Sequence, residues 1–220
     1  MSENSINYLQ SLNEFQREAV ENNSGATLVL AGAGSGKTRV LTYKLLHLLA
    51  KKILKPNQIL AVTFTNKAAS EMKSRVSKML NFPIDKMWLG TFHSLSLKIL
   101  RKNYEKIGLK NNFVIIDTDD QLKLIKKICE QENIDTKDIP PKFFSSAIDG
   151  LKNKGVFFNE LKPNKYRNND EELRLVYKIY QQELNRINCV DFGDLILLCI
   201  KLFKKNNDAR EYYQNLFHFI

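Results

Sequence analysis

The chain has 220 residues, of which 43% are hydrophobic, enough for one large or two small folded domains and too many for a disordered chain. Lysine and arginine number 34 against 24 acidic residues, so the net charge of +10 favours a polyanion such as nucleic acid, although compositional drift toward lysine explains part of it. None of the three cysteines stands in a C-x-x-C pair, which argues against zinc and disulfide frameworks and favours a reducing, cytoplasmic location. The polar start Met1–Ser5 shows no signal peptide, and no apolar run reaches the ~18 residues of a membrane span.

A glycine-rich segment lies between a predicted strand and a predicted helix. The apolar run Ala26–Leu30 predicts the strand, and the pattern Arg39–Leu46 predicts the helix. Between them the chain reads, in order, Ala31, Gly32, Ala33, Gly34, Ser35, Gly36, Lys37 and Thr38. This is the context of a P-loop, in which backbone N–H groups and a helix N-terminus bind phosphate oxygens.

The residue types in this loop predict nucleotide binding. Lys37 can reach the β- and γ-phosphates, and the hydroxyl of Thr38 can bind Mg²⁺, so both are candidate catalytic residues. Ala31 stands where the strict pattern has glycine, at a position that turns the chain and need not approach phosphate. The alternative, a glycine-rich turn without a ligand, does not account for the lysine and the threonine in register.

The first half of the chain alternates apolar runs with helical patterns. Ile59–Phe64 and Met87–Thr91 predict strands, and Lys67–Leu80 and Leu95–Tyr104 predict helices, the former stopped by Asn81–Pro83. Strands that alternate with helices predict an α/β fold with a parallel sheet.

After about Asn112 the pattern is mostly helical, which predicts an insertion or a second domain. The expected elements are an extended Phe113–Ile116, a helix from a capping box at Thr118 to Asn133, a helix from Pro141 into Gly150–Gly155, a helix capped at Asn169-Asp170, an apolar helix opened by Asp191, and a helix Asp208–Asn215.

Several single residues have both a functional and a structural interpretation. Gln16 matches one edge of adenine, although a surface glutamine on an amphipathic helix is commoner. Phe64 follows a strand end, where it either stacks on a base or packs in the core. His93 either donates to a phosphate or has a structural role, and Asp191 and Asp194 are interpreted as helix caps.

Together these segments resemble the motifs of superfamily 1 DNA helicases of the UvrD/Rep/PcrA type. Leu12–Val20 resembles the Q motif, Ala31–Thr38 motif I, Thr63–Arg75 motif Ia, and Gly90–Ser94 the next DNA-contacting motif. The VDFGDL segment from Val190 resembles the point where the family's chain re-enters its first motor domain. Each motif alone is weak, but the set covers the whole length in the right order.

The resemblance implies a RecA-like P-loop NTPase domain that carries an inserted all-helical subdomain. Residues 1–112 and 190–220 would form motor domain 1A, and residues 113–189 would form subdomain 1B, lying against DNA. The stretch Pro141–Asn168 has six basic residues against two acidic ones, which suits either phosphate contacts or a solvated face. The basic residues are Lys142, Lys152, Lys154, Lys162, Lys165 and Arg167, against Asp149 and Glu160.

The resemblance also implies an ATP-driven motor that moves 3′ to 5′ and unwinds duplex DNA. ATP and Mg²⁺ would be its cofactors, single-stranded DNA and single/double-strand junctions its partners, and no membrane is implied. The nucleotide contacts carried over are Gln16 for adenine, Ala31–Thr38 for phosphates and Mg²⁺, and Arg39 for packing on the base. The DNA contacts carried over are Phe64, Asn66, Thr91, His93 and Phe192.

Two other classes stay open, a small-molecule kinase and a fragment that binds nucleotide or single-stranded DNA without turnover. The family's acidic motif V-D-E-x-Q-D would follow Phe217–Ile220, which reads as the first residues of its strand. We therefore expect these 220 residues alone to bind Mg·ATP weakly, without hydrolysis or unwinding, unless Asp191 or Asp194 supplies the base. An unpaired sheet edge would also lower stability.

Overall fold

The computed structural model describes residues 8–80 and 84–220. The polar start Met1–Ser5 and the predicted helix stop Asn81–Pro83 lie outside the described residues. The chain divides into two compact units, one comprising Met1–Leu95 with Tyr212–Ile220 and the other comprising Ser96–Glu211. The domain boundaries expected near residues 112 and 190 stay a prediction.

The first unit alternates helices and strands, as the sequence pattern predicts. Its elements are α1 (Glu14–Glu21), α2 (Lys37–Ala50), β1 (Leu60–Val62), α3 (Asn66–Leu80) and β2 (Trp88–Gly90), with 3₁₀ turns at Leu9–Ser11 and Pro56–Gln58. Helix α4 (Phe92–Lys102) begins in this unit, and α9 (Asn207–Leu216) ends in it.

Parallel pairing organises the sheet of the first unit. Leu60 lies opposite Trp88, and the register continues to the end of both strands, which makes β1 and β2 a parallel pair. On the other side of β1, the backbone N–H of Leu60 donates to the carbonyl oxygen of Phe219 at 2.9 Å, within a parallel bridge between Ile59 and Phe219. Phe219 thus makes one parallel bridge within Phe217–Ile220, and the strand predicted to begin there stays a prediction.

The core of this unit lies between α2, α3 and the sheet. Leu45 and Leu48 of α2 and Met72 and Val76 of α3 are buried against Ile59. The spacing of these side chains places them on one face of each helix, as the periodicity predicts.

The strand predicted at Ala26–Leu30 does not form. The segment has no regular structure, and Leu28 and Leu30 are 81% and 85% exposed. A strand needs a hydrogen-bonded neighbour, and none of the residues that the structure describes pairs with this segment in a ladder. An apolar, β-branched sequence is therefore not enough to make a strand here.

The second unit is mainly helical and has a small parallel pair of its own. Its elements are β3 (Val114–Ile115), α5 (Thr118–Gln131), α6 (Pro141–Asn153), α7 (Asp170–Arg186), β4 (Cys189–Val190) and α8 (Phe192–Lys205), with 3₁₀ turns at Glu105–Ile107 and Phe158–Glu160. Strands β3 and β4 are parallel, with Val114 opposite Cys189. The core is formed by α5, α6 and α7, where Ile128, Phe144 and Tyr180 are buried together. Across residues 8–80 and 84–220, no helix combines the length and apolar character needed to cross a bilayer.

The N-cap of α5 differs by one residue from the prediction. Asp117, not Thr118, is the cap, and its carboxylate accepts from the backbone N–H of Asp120 at 2.9 Å. Gln121, which was expected to close the capping box, is buried and donates to Asp149 at 2.9 Å instead. Asp117 is preferred to Thr118 as the cap because a carboxylate accepts hydrogen bonds from helix N–H groups more strongly than a hydroxyl does.

The exposed Ala26–Leu30 segment generates a prediction on stability. Leu28→Ala should change the free energy of unfolding by less than ~0.5 kcal/mol, because the side chain is largely in water. Leu45→Ala, at a fully buried position of α2, should cost about 2–5 kcal/mol. Urea unfolding followed by circular dichroism measures both, and a loss above ~1 kcal/mol for Leu28→Ala would show that the segment is packed.

Candidate nucleotide and DNA site

The loop before α2 has the backbone shape that its glycines predict. Gly34 and Gly36 have φ angles of 75° and 87°, a left-handed conformation that strains other residues. Gly36 is the N-cap of α2, without a side-chain cap bond to the first helical turn. A Cβ atom at Gly36 would lie 3.2 Å from the Nε2 atom of Gln16, so space also favours glycine. The exposed Thr38 follows in that first turn, where its hydroxyl is available to a metal bound to phosphate.

Lys37 lies across its own loop. Its Nζ atom donates to the carbonyl oxygens of Ala31 at 2.9 Å and Gly32 at 2.6 Å. The hydroxyl of Ser35 donates to the same Gly32 oxygen at 2.7 Å. The ammonium group is thus held over the loop, and a bound phosphate would take the place of these carbonyls as its partner.

Gln16 connects α1 to the loop. Its Nε2 atom donates to the carbonyl oxygen of Ser35 at 3.1 Å, and its Oε1 atom accepts from the backbone N–H of Asn13 at 3.3 Å. Asn13 returns a cap bond to the Gln16 N–H at 2.9 Å, which completes a capping box. The structure therefore brings Gln16 to the loop, although both ends of its amide have protein partners. Adenine recognition stays a prediction.

Arg39 offers a flat, charged surface next to the loop. Its guanidinium group donates to the carbonyl oxygen of Ser11 at 2.8 Å and lies 5.4 Å from the ring centroid of Tyr43. Sequence reasoning missed Tyr43. Its position one helical turn after Arg39 could have indicated that the two side chains are neighbours. The pair suits the predicted packing on a base.

A cavity of about 490 Å³ adjoins the loop. Its lining includes Lys37 and Lys44, together with apolar side chains such as Val29 and Phe219. The lining described by the structure contains no acidic residue: it comprises Ala19, Asn22, Gly25, Ala26, Thr27, Val29, Lys37, Val40, Leu41, Lys44, His218, Phe219 and Ile220. The charge of this cavity therefore favours an anion.

Lys44 has a structural role beside this cavity that the sequence did not reveal. Its buried Nζ atom donates to the carbonyl oxygens of Val20 at 3.0 Å and of Asn22, and to the side chain of Asn23 at 2.9 Å. Burial lowers the pKa of Lys44. Because Lys44 holds the end of α1, Lys37 is the better candidate for a phosphate ligand.

Three predicted DNA-contacting residues lie where β1 and β2 end. The backbone N–H of Thr63 donates to the Gly90 carbonyl at 2.9 Å, so the ladder continues past β1. Phe64 follows with its side chain 100% exposed, and the core interpretation of this residue is wrong. The hydroxyl of Thr91 donates to the Asn66 side chain at 3.4 Å, which brings the two predicted polar residues together.

Phe92 is a candidate that sequence reasoning missed. Val62 lies opposite Gly90, so Phe64 and Phe92 each come two residues after a registered pair, and Phe92 is 65% exposed. Helix α4 begins at Phe92, three residues earlier than predicted. Two reciprocal bonds cap this start: the Thr91 N–H donates to Ser94 Oγ at 2.9 Å, and the Ser94 N–H donates to Thr91 Oγ1 at 3.2 Å. The sequence feature that could have indicated Phe92 is its position as the aromatic residue of the GTFHS segment.

The other predicted DNA-contacting residues belong to different units. His93 is exposed in the first turn of α4, in the first unit, whereas Phe192 begins α8 in the second unit. The capping interpretation of Asp191 is confirmed, because its side chain accepts from the Asp194 N–H at 2.8 Å.

The basic stretch Pro141–Asn168 needs one correction. Lys152 is buried and pairs with Asp191 at 2.6 Å and Asp194 at 2.8 Å, so this lysine is not available to DNA phosphates. Arg167 is half-buried and pairs with Asp170 at 2.7 Å. The exposed basic residues of the stretch are Lys142, Lys154, Lys162 and Lys165. Asp191 and Asp194 are committed to the same buried ion pairs, which argues against either carboxylate as a base for ATP hydrolysis.

The loop, the parallel strands and their exposed aromatic ends agree with the family assignment. Residues 12–220 match the family described as the UvrD/REP helicase N-terminal domain, and the chain belongs to that family. It is 43% identical over 212 residues to the ATP-dependent DNA helicases PcrA of Staphylococcus epidermidis (strain RP62A) and Staphylococcus aureus (strain Mu50). These alignments cover 96% of this chain and 29% of each relative, so the chain spans less than a third of their length. The resemblance identified from the motifs is confirmed.

The loop geometry predicts the effect of removing its cation. Lys37→Ala should weaken binding of a fluorescent ATP analogue roughly 10- to 100-fold, because a charge-assisted hydrogen bond of about 1.5–3 kcal/mol is lost. Lys51→Ala, at the exposed far end of the same helix, is the matched control and should leave affinity unchanged. Equal affinity of the Lys37 variant and the unmodified chain would contradict the assignment of the loop.

Proposed function

We propose that this chain is the ATP-binding part of a motor that couples ATP hydrolysis to 3′ to 5′ movement on single-stranded DNA and to unwinding of duplex. One observation carries the proposal: a phosphate-binding type of loop and the exposed Phe64 belong to the same compact unit. The helicase names of the relatives support the same activity. In this proposal residues 1–112 and 190–220 are a RecA-like domain 1A, and residues 113–189 are an inserted helical subdomain 1B.

ATP with Mg²⁺ is the nucleotide that the loop residues fit. The N–H groups at the start of α2 and the ammonium of Lys37 bind the phosphates, and Arg39 packs on the base beside Gln16. Among the described residues, no group of three or more histidine, cysteine or acidic side chains can hold a metal ion. In this proposal Thr38 would supply its hydroxyl to Mg²⁺ beside the phosphate oxygens of ATP.

Single-stranded DNA crosses the first unit at the ends of β1 and β2. Phe64 stacks on a base, while Asn66, Thr91 and His93 contact the backbone. In the second unit Phe192 adds a stacking surface, and the exposed lysines of Pro141–Asn168 contact phosphates near a single/double-strand junction. The net charge of +10 supports a polyanionic partner.

Hydrolysis requires groups that the described loop cavity lacks. Its described lining holds no acidic side chain, and phosphoryl transfer needs a group that orients the attacking water. We propose that these 220 residues bind nucleotide and that the water-activating acid is supplied by a part of the motor outside them.

The exposed aromatic residues generate a prediction on DNA binding. Phe64→Ala should weaken binding of a labelled oligothymidine by about 1–3 kcal/mol, the usual value of one base–aromatic stack, and leave the melting temperature unchanged. Phe92→Ala should weaken binding in the same way. Phe15→Ala, an exposed phenylalanine of α1, is the control. Fluorescence anisotropy without nucleotide at low salt gives the affinities; a loss of thermal stability with unchanged affinity would contradict the stacking role.

The absence of an acid from the described cavity lining generates a prediction on turnover. The purified 220-residue chain should release no phosphate from Mg·ATP above background, with or without single-stranded DNA. A phosphate-release assay measures this directly. DNA-stimulated release that Lys37→Ala abolishes would show that the chain contains its own catalytic acid, and transfer to a small acceptor without DNA would favour a kinase instead.

A further inference from the structure

A buried ionic cluster fixes the start of α8. Lys152 of α6 places its Nζ atom 2.6 Å from Asp191 Oδ2 and 2.8 Å from Asp194 Oδ1, the second contact being an ion pair without hydrogen-bond alignment. The Tyr180 hydroxyl donates to Asp191 Oδ2 at 2.8 Å, and the Gln181 amide donates to Asp194 Oδ2 at 3.2 Å. The cluster therefore ties α6 and α7 to the first turn of α8.

This cluster is costly, because it combines two carboxylates with one ammonium group away from water. Side-chain exposure is 0% for Lys152, 4% for Asp191 and 1% for Asp194. Burial raises the pKa of Asp194 despite the attraction of Lys152, and burial with the nearby Asp191 raises the pKa of Tyr180 far above its usual value. Buried ion pairs of this kind add little net stability compared with apolar packing, and in some proteins they fix a particular arrangement.

The arrangement fixed here is that of Phe192. This residue stands between the two buried aspartates, yet its own side chain is 53% exposed. On its other side Gly193 lies against Lys152, where an added Cβ atom would come within 3.0 Å of Cδ and 3.1 Å of Cβ of the lysine. Asp191 is bonded to Lys152 and Gly193 lies against the stem of the same lysine, so the backbone on both sides of Phe192 is held in place.

We propose that Lys152 is a positioning residue that holds Phe192 in the orientation in which its ring contacts single-stranded DNA. The proposal rests on the DNA-binding function proposed above. The charge of Lys152 suggests a direct contact with a DNA phosphate. In this proposal Lys152 instead affects DNA binding through Phe192.

A double-mutant cycle on DNA affinity tests the proposal. Phe192→Ala should weaken binding of a labelled oligothymidine roughly 5- to 150-fold, the range of one lost stack. Lys152→Met should cause a large part of that loss in the unmodified chain and less than a twofold further loss when Phe192 is already alanine. Lys127→Met, which removes an exposed charge from α5, controls for net charge and should leave affinity within about twofold.

Equal losses from Lys152→Met in both backgrounds would show general damage and overturn the proposal, as would unchanged affinity of a folded Lys152→Met chain. An effect of Phe64→Ala without any effect of Phe192→Ala would also overturn it. No measurable DNA binding by the unmodified chain would instead remove the proposed function on which the inference rests.

A second variant covers the case in which Lys152→Met does not fold. Gly193→Ala keeps every charge but pushes on the stem of Lys152, so it should also weaken DNA binding, and again only while Phe192 is present. Circular dichroism and thermal melting confirm that each compared chain is folded. A folded Gly193→Ala chain with unchanged affinity would overturn the proposal.

Discussion

The parallel ladder between β1 and β2 determines where the side chains proposed to contact DNA can lie in the first unit. Strands that run in the same direction end at the same edge, so the residues that follow them meet without any local sequence signal that joins them. Phe64 and Phe92 leave the ladder at equivalent positions, and the Thr91–Asn66 hydrogen bond spans the same edge. With Ile59 also bridged to Phe219, β1 has neighbours on both sides, which gives this edge a rigid base.

The loop before α2 is shaped by its own polar groups as much as by glycine. Lys37 and Ser35 both donate to loop carbonyls, and Gln16 adds a contact from α1. These bonds hold the loop together, and in the nucleotide complex proposed above phosphate oxygens would replace the carbonyl oxygens as acceptors for Lys37. The net gain in binding is then smaller than the gross strength of the new contacts, because existing hydrogen bonds are given up.

Local patterns in the sequence predicted the helices well, because periodicity and caps are encoded within a few residues. The bounds of α3 and α6 and the cap at Asp191 follow from such signals. The apolar run Ala26–Leu30 was misjudged, since a strand depends on a partner elsewhere in the chain, and such a partner cannot be read from the run itself. Phe64 shows the same limit at the site: composition favoured the core, and its exposure follows from where β1 ends.

Lys152 shows why a count of charges along a sequence is a poor guide to a binding surface. The other lysines of the basic stretch face water, whereas Lys152 is enclosed by the carboxylates of Asp191 and Asp194. The positive charge of Lys152 is buried and paired with carboxylates, so it contributes little to the electrostatic field at the surface. In the function proposed above, the exposed lysines would attract DNA and the buried lysine would hold the Phe192 ring in place. A single stretch of sequence can in this way supply both the long-range charge that gathers a polyanion and the short-range restraint on a ring that stacks on it.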